Sequence, residues 1–161
     1  MKGGNLMTAV DNQIQEVEEQ EKRLQFQEFT SETALNIGMS LVERAKAENK
    51  VITIDITRNG HQLFHYAFEG TSPDNDQWVL RKNRVVNRFN TSSLHFRLKL
   101  ESSGSSLAAK QLEPAEYAAS GGAFPIIIRN VGVVGTITVS GLADTEDHAI
   151  VAWAINNYLT K

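Results

Sequence analysis

The chain has 161 residues, of which 41% are apolar and 22% are charged, so it is long enough for one globular domain with a sizeable core. Its net charge of -3 disfavours nucleic-acid binding, and its lack of cysteine excludes disulfides and thiolate chemistry. We expect a cytoplasmic protein with no membrane partner, because neither a signal-peptide pattern nor an apolar run of the ~20 residues of a membrane span is found.

Residues 1–29 are predicted to form an N-terminal helical arm. A narrow apolar stripe recurs at helical steps: Val10, Ile14, Val17 and Leu24. Glu21 interrupts this stripe. Such a helix either lies across the domain or docks on another subunit, and we favour the second because oligomers commonly use amphipathic arms. Residues 1–6 lack periodicity and are expected to be a tail or an added leader.

A second helix is expected to begin after Thr30, whose hydroxyl can cap it, and to end near Asn49. Its predicted buried stripe consists of small and aliphatic residues: Ala34, Gly38, Leu41, Val42 and Ala45. The stripe predicts that this helix covers one face of a sheet.

Two alternating segments between Val51 and Phe68 flank Asn59-Gly60, the strongest short-range signal of a β-hairpin. A two-residue loop would pair Thr57 with Gln62, Asp55 with Phe64 and Ile54 with His65. This register predicts His65 to be a hydrogen-bonded core histidine on an otherwise aliphatic face.

A third helix can be capped by Asp74 and has a periodic apolar stripe: Trp78, Val79, Val85, Val86 and Phe89. Lys82 lies on this stripe, where it either snorkels outward or meets a carboxylate or a ligand anion, with Asp55 as the candidate partner. Arg81, Arg84 and Arg88 line a second face. These arginines could bind acidic groups through paired hydrogen bonds, although a solvated helix face is the simpler interpretation.

The densest β-type stretch runs from Tyr117 to Gly141, and the rest of the fold is expected to pack around it. Pro125 lacks a backbone N–H and suits the first residue of a strand or a sheet edge, so a strand is expected to start there. Alternation in the next segment places Val133, Ile137 and Val139 on one face and Thr136, Thr138 and Ser140 on the other. A last helix should open at Asp144 or Thr145.

Leu94, Phe96, Leu98 and Leu100 alternate with polar residues, and this period by itself favours a strand. The remaining elements predict an α+β fold, in which two hairpins form an antiparallel sheet with helices packed on it. We expect residues 30–161 to make up a single domain of this kind.

Several polar positions are candidates for function. Gly121-Gly122 could let a ligand approach the backbone closely, although a tight turn is the simpler interpretation. His148 could ligate a metal or shuttle a proton, but one histidine with acidic neighbours does not have the spacing of a metal site, so none is expected. His61 and His95 are expected to be exposed. The sequence has no known catalytic motif, and whether the protein is an enzyme stays open.

Three segments resemble motifs of the HbpS/GlcG/PduO-C-terminal-like family, whose members are often described as haem-degrading domains. The segments are Gly121-Gly122-Ala123-Phe124-Pro125-Ile126, Val133 to Gly141, and Glu146-Asp147-His148. Asp55 before Asn-Gly and Arg81-Lys82 in the following helix agree with this resemblance. The residues from Trp78 to Lys82, with Ser92-Ser93, are similar to the cytoplasmic, largely uncharacterised branch of the family.

The resemblance implies a profilin-like sheet, assembly into homo-oligomers of at least two subunits, and a helix over residues 94–101. It also implies a pocket for a small anionic ligand, with haem or a related tetrapyrrole as the candidate. The candidate ligand-binding residues are Asp55, Arg81, Lys82, Gly121, Gly122, Phe124, Pro125 and His148. No axial histidine carries over from the haem-binding members. The alternative is a non-catalytic module for protein interaction and assembly.

Overall fold

The computed structural model describes residues 7–161, so the tail or leader expected for residues 1–6 lies outside the described residues. In chain order the elements are α1 (Ala9–Arg23), α2 (Ser31–Ala47), β1 (Thr53–Arg58), β2 (His61–Ala67), α3 (Pro73–Phe89), α4 (Ser93–Ser103), a 3-10 turn (Ala108–Lys110), β3 (Ala123–Ile128), β4 (Gly132–Ser140) and α5 (Asp144–Leu159). Within this range, no helix combines the length and the apolar character that crossing a bilayer requires.

The four strands form one antiparallel sheet in the order β2-β1-β4-β3, which confirms the α+β prediction of two hairpins joined in one sheet. β1 and β4 lie in the middle, and Ile54 pairs with Val139 across their junction. β3 is an edge strand, so Pro125 is tolerated inside it although the strand already starts at Ala123.

The two faces of the sheet differ in polarity. Ile54, Ile56, Ile137 and Val139 are fully buried in the main apolar cluster, together with residues of α2 and α5. All five residues predicted for the buried stripe of α2 are buried. The opposite face carries buried polar side chains, namely Thr53, Asp55, Thr136, Thr138 and Ser140, and α3 packs on this face. Because these groups need partners when they are buried, the α3 side of the sheet is where polar chemistry can be positioned.

The predicted register of the first hairpin is wrong beyond its first two pairs. Thr57 pairs with Gln62 as expected, but Leu63 is bulged out, so Ile56 pairs with Phe64 and Asp55 with His65. A bulge inserts one extra residue and therefore moves the following side chains to the other face. His65 consequently lies beside Asp55 on the polar face, with its side chain 31% exposed, and is not a core residue facing Ile54.

A second bulge corrects the face assignment in β4. Ile126 pairs with Gly135 but Ile127 pairs with Val133, which leaves Val134 as the extra residue. Val134 packs against the main apolar cluster, whereas Val133 was expected there with Ile137. Both bulges are features of backbone pairing that side-chain alternation does not record.

Residues 94–101 are helical, as the resemblance implied and against their alternating pattern. Leu94 and Leu98 contact α1, whereas Phe96 and Leu100 belong to a separate cluster with α3 and the following loop. Residues two positions apart point to nearly opposite sides of a helix, so burial on two sides produces a strand-like alternation.

α1 packs along α4 of its own chain. Val10, Ile14 and Val17 contact the α4 leucines, and Leu24 enters the main apolar cluster. Glu21, which interrupts the stripe, lies 2.7 Å from His95 Nδ1 through Oε2 and accepts the N–H of Ser92 through Oε1. His95 is therefore buried, and the expectation that it is exposed is wrong because a carboxylate of α1 covers it.

Candidate functional site

Lys82 is buried in the middle of α3, with 2% of its surface exposed. Its Nζ donates to Asp147 Oδ2 and to the Val139 carbonyl oxygen, both at 3.1 Å. Lys82 therefore does not snorkel outward. Of the two alternatives left open by the sequence, the carboxylate partner is the one observed, but the partner is Asp147 of α5 and not the candidate Asp55.

Asp147 lies in the first turn of α5 and is 2% exposed. Its Oδ1 accepts the backbone N–H of Leu142 at 3.0 Å, which fixes the carboxylate while Oδ2 meets Lys82. Burial raises the pKa of Asp147 to about 6, although the Lys82 ammonium opposes this shift. Burial also lowers the pKa of Lys82, against the attraction of Asp147. The two pKa values thus approach each other, a pattern found both at functional sites and in structural ion pairs.

Gly122 makes room for this ion pair. Its φ of 133° is in the region that favours glycine, and a Cβ there would lie 2.5 Å from the Val139 carbonyl oxygen and 2.6 Å from Lys82 Nζ. The N–H of Gly121 donates to Asp144 Oδ2 at 3.0 Å, so this donor is already used within the chain. Gly122 thus provides a close approach of the backbone to Lys82, whereas Gly121 approaches the backbone of Asp144.

A cavity of about 270 Å³ opens beside the ion pair. Its lining combines the pair with residues of α3, the segment before β3 and the end of β4: Asp74, Asn75, Trp78, Ser120, Ser140, Gly141 and Leu142. The Arg81 guanidinium, which does not line the cavity, stacks 4.1 Å above the ring of the lining residue Trp78. We call this cavity the Lys82 pocket. It places a buried cation, hydroxyl and amide groups and an indole wall around a space suited to a small polar ligand.

The other candidate residues are distributed differently. Asp55 bonds to Thr57 and Gln62 and lies 3.0 Å from His65 Nδ1, so it belongs to a neighbouring network on the same polar face. Phe124 is fully buried in the main apolar cluster, on the far side of the sheet. Pro125 pairs with Thr136 and does not line the Lys82 pocket. The structure thus places Gly122 against Lys82 and Arg81 on the Trp78 ring, and it leaves Asp55, Phe124 and Pro125 outside the Lys82 pocket.

Sequence reasoning missed Asp147, Trp78, Asn75 and Ser140 as lining residues. Trp78 was assigned to the buried stripe, but it is 36% exposed and forms the wall of the pocket. Asp147 was noticed as an acidic neighbour of His148 and as part of the Glu146-Asp147-His148 motif, but not as the partner of Lys82. The lysine on an apolar stripe requires a carboxylate or another anion but does not say where in the chain it lies.

His148 lies away from the Lys82 pocket. It is 4% exposed, its ring centroid is 5.7 Å from that of Phe124, and its Nε2 lies 2.6 Å from Gln20 Oε1 of α1. Its Nδ1 is buried with no hydrogen-bond partner within residues 7–161. Burial lowers the pKa of His148 to about 4, so the ring is neutral at physiological pH.

His148 should make the fold sensitive to acid. Its pKa is lowered from 6.5 to about 4, so its stabilising effect is complete above pH 6.5 and is lost as the pH falls towards 4. The loss amounts to roughly 3 kcal/mol. Urea unfolding over this pH range should show that the free energy of unfolding of the wild type exceeds that of His148→Gln by less and less as the pH falls. The exposed control His61→Gln should follow the wild type, and a constant difference between wild type and His148→Gln would contradict the assignment.

The four histidines do not fit a histidine-ligated haem in the Lys82 pocket, because none of them lines it. His65 lies between Asp55 and Asp76, and His95 lies between Glu21 and Glu18. His148 is bonded to Gln20. His61 is exposed at the start of β2. We therefore assign no iron ligand.

Comparisons with known proteins agree with the motifs. The family model described as haem degrading protein HbpS-like matches residues 29–156. A UPF0303 protein of Streptomyces coelicolor is 44% identical over 147 residues, which cover 91% of this chain and 93% of the relative. A UPF0303 protein of Edwardsiella ictaluri is 43% identical over 141 residues, covering 87% and 90% of the two chains.

Solved structures show the same fold. The crystal structure of the Ybr137w protein superposes with a TM-score of 0.84 at 30% identity, covering 91% of this chain and 87% of that one. A PduOC:heme complex superposes with a TM-score of 0.64 at 17% identity, covering 80% and 93%, which supports the fold alone. Because the family model and the relatives span most of the sequence, the chain belongs to the HbpS-like family of haem-degrading proteins.

Proposed function

We propose that this protein binds a small anionic ligand in the Lys82 pocket. The observation that carries the proposal is a buried lysine whose ammonium borders a cavity of about 270 Å³. A lysine has three N–H donors, and two of those on Lys82 are used by Asp147 and Val139. The third can donate to a carboxylate or phosphate oxygen in the cavity.

The acidic side chains at the pocket select which anions can bind. Asp147 and Asp74 both line it, so a ligand anion meets repulsion unless a carboxyl group takes up a proton. Asp147 is suited to do so because its pKa is about 6. An arriving anion close to Lys82 would raise this pKa further, because a second negative charge disfavours the ionised carboxylate. Ligand uptake is therefore coupled to proton uptake and should be stronger at mildly acidic pH.

A carboxylate-bearing tetrapyrrole is the candidate ligand that the family suggests. The family description refers to haem, and one structural neighbour is a complex with heme. The lining residues suit a carboxylate edge of such a molecule, held by Lys82 beside the Trp78 ring. They do not suit the iron, so binding should not depend on it. Iron-free porphyrin is therefore as good a probe as hemin.

Replacing Lys82 with methionine should weaken tetrapyrrole binding at least tenfold, because it removes the buried cation. Hemin and iron-free protoporphyrin can be titrated and followed by the shift of their Soret bands. Arg84→Met is the matched control, since Arg84 lies on the exposed face of the same helix and donates to the Glu116 carbonyl oxygen. Thermal melts of both variants establish that each is folded at the temperature of the titration.

Two outcomes would count against the Lys82 pocket. Equal effects of Lys82→Met and Arg84→Met would show that the ligand contacts neither position specifically. The absence of a saturable Soret shift with either porphyrin would remove tetrapyrroles as ligands. Phosphate and small dicarboxylates would then be titrated by calorimetry as the remaining anions.

We also propose that the protein forms homo-oligomers, through α2 and the edge strand β2 and not through α1. The stripe of α1 is already covered by α4. Leu35, Met39 and Tyr66 are 46%, 44% and 42% exposed. Leu35 and Met39 lie one turn apart on α2 next to Gly38, against which the Phe64 ring lies, and Tyr66 follows Phe64 by two positions on the edge strand β2. We take these three residues as one apolar patch beside an open sheet edge. Apolar patches next to an open edge favour association with a second copy.

Light scattering at micromolar concentration should give a mass of at least a dimer. The double variant Leu35→Asp/Met39→Asp should have the mass of one chain, because association would bury its two charged groups at the contact. Leu80→Asp is the control, since Leu80 is equally exposed but lies on α3. A monomeric wild type contradicts the oligomer, and an unchanged mass of the patch variant contradicts this choice of surface.

A further inference from the structure

A second cavity, of about 410 Å³, lies at the C-terminal end of α3, between that end and α4, whereas the Lys82 pocket lies along the earlier turns of α3. Phe89, Phe96 and Leu100 provide its apolar wall, and the two phenyl rings are stacked with centroids 4.6 Å apart and planes inclined by 25°. Phe96 and Leu100 are each only 7% exposed, so the wall continues into a packed cluster with Val85 and Leu112. We call this cavity the α3–α4 cavity.

The charged side chains that line this cavity are both lysines. Lys99 extends from α4, and Lys110 extends from the turn that follows it. Within residues 7–161 the ion pairs of nearby positions involve Arg97 with Glu101 and Asp144, and neither lysine takes part in one. Two ammonium groups at the mouth of an apolar cavity are unlike a solvated helix face, where opposite charges are usually interspersed.

We propose that the α3–α4 cavity binds an aromatic monoanion of about two fused rings. Stacked aromatic side chains favour a planar aromatic partner in offset or edge-to-face contact. The lysines supply charge-assisted hydrogen bonds to a carboxylate or sulfonate at the mouth. A cavity of about 410 Å³ is at the small end of the sizes of ligand sites. This proposal does not depend on the Lys82 pocket, because no residue lines both cavities.

Naphthoate is the probe, and its binding to the full chain is measured by calorimetry against naphthalenemethanol, which has the same rings without the charge. We expect saturable naphthoate binding that is about tenfold tighter than that of the alcohol, as a charge-assisted contact would give. In the double variant Lys99→Gln/Lys110→Gln, the affinities for naphthoate and for naphthalenemethanol should become similar. The control Lys22→Gln/Lys46→Gln changes the net charge by the same amount on α1 and α2 and should keep the difference.

Ser103→Trp tests the location. Ser103 is an exposed residue at the rim, so a bulky ring there fills the cavity without disturbing the packed wall. This variant should abolish naphthoate binding, whereas Lys82→Met should leave it unchanged. Unaltered binding in Ser103→Trp overturns the proposal, as does an absence of saturable binding to the wild type. A loss in Lys82→Met equal to that in Ser103→Trp also overturns it, since the anion would then lie in the Lys82 pocket.

Discussion

Asp147→Asn is expected to lower the free energy of unfolding by about 3 to 5 kcal/mol at neutral pH, the cost of leaving one member of a buried ion pair without its partner. The amide keeps an oxygen that can accept the N–H of Leu142, so the loss reports mainly on the Lys82 ammonium. Urea unfolding followed by circular dichroism measures the difference. Asp74→Asn is the matched control because Asp74 lines the same pocket but is exposed.

A double variant can show whether this loss of stability comes from the unpaired Lys82 charge or from a packing defect. In the double variant Lys82→Met/Asp147→Leu both charges are replaced by apolar groups, and such replacements of buried pairs are often neutral or stabilising. The double variant should therefore be more stable than Asp147→Asn. If Asp147→Asn loses no more stability than Asp74→Asn, Lys82 is hydrated in solution and the Lys82 pocket is open to water.

Gly122→Ala is expected to destabilise the protein by at least about 2 kcal/mol more than Gly132→Ala, the size of typical overpacking costs. The two glycines have similar φ values, 133° and 122°, so the strain of an alanine at positive φ is shared. They differ in surroundings, because no atom of residues 7–161 lies within 4 Å of a Cβ at Gly132. At Gly122 the added methyl group overlaps the Val139 carbonyl and the Lys82 ammonium.

Chemical denaturation of both variants gives this difference directly. Gly122→Ala should also weaken ligand binding in the Lys82 pocket, since the ammonium must move, while Gly132→Ala should bind normally. Equal losses of stability in the two variants would falsify the close approach of the Gly122 backbone to Lys82.

The pattern of apolar residues predicted the elements of this fold better than it predicted their pairing. The Asn59-Gly60 turn and the nearby pair of Thr57 with Gln62 follow from local conformational preferences. The bulge at Leu63 does not, because it depends on how β1 fits between β2 and β4. One inserted residue was enough to move His65 from the predicted core to the side of Asp55.

The candidate site shows the same division between local and tertiary information. Lys82 could be recognised because a lysine on an apolar stripe is costly without a partner. Its partner could not be identified, since Asp147 is 65 residues away and meets it only after α3 and α5 have both packed on the sheet. Glu21 gave a similar signal by interrupting the stripe of α1, and its partner His95 is 74 residues away.

The strand order has a consequence for the synthesis of the chain on the ribosome. β1 and β2 are made early, but the partner of β1 on its other side is β4, which ends only at Ser140. Until β4 emerges, Ile54 and Ile56 lack the strand beside them and α5 does not yet exist to cover the sheet. An open apolar strand edge of this kind is prone to pair with other chains. The nascent protein is therefore most vulnerable to aggregation while α3 and α4 are being translated. This vulnerability ends once β4 and α5 have been made and have packed.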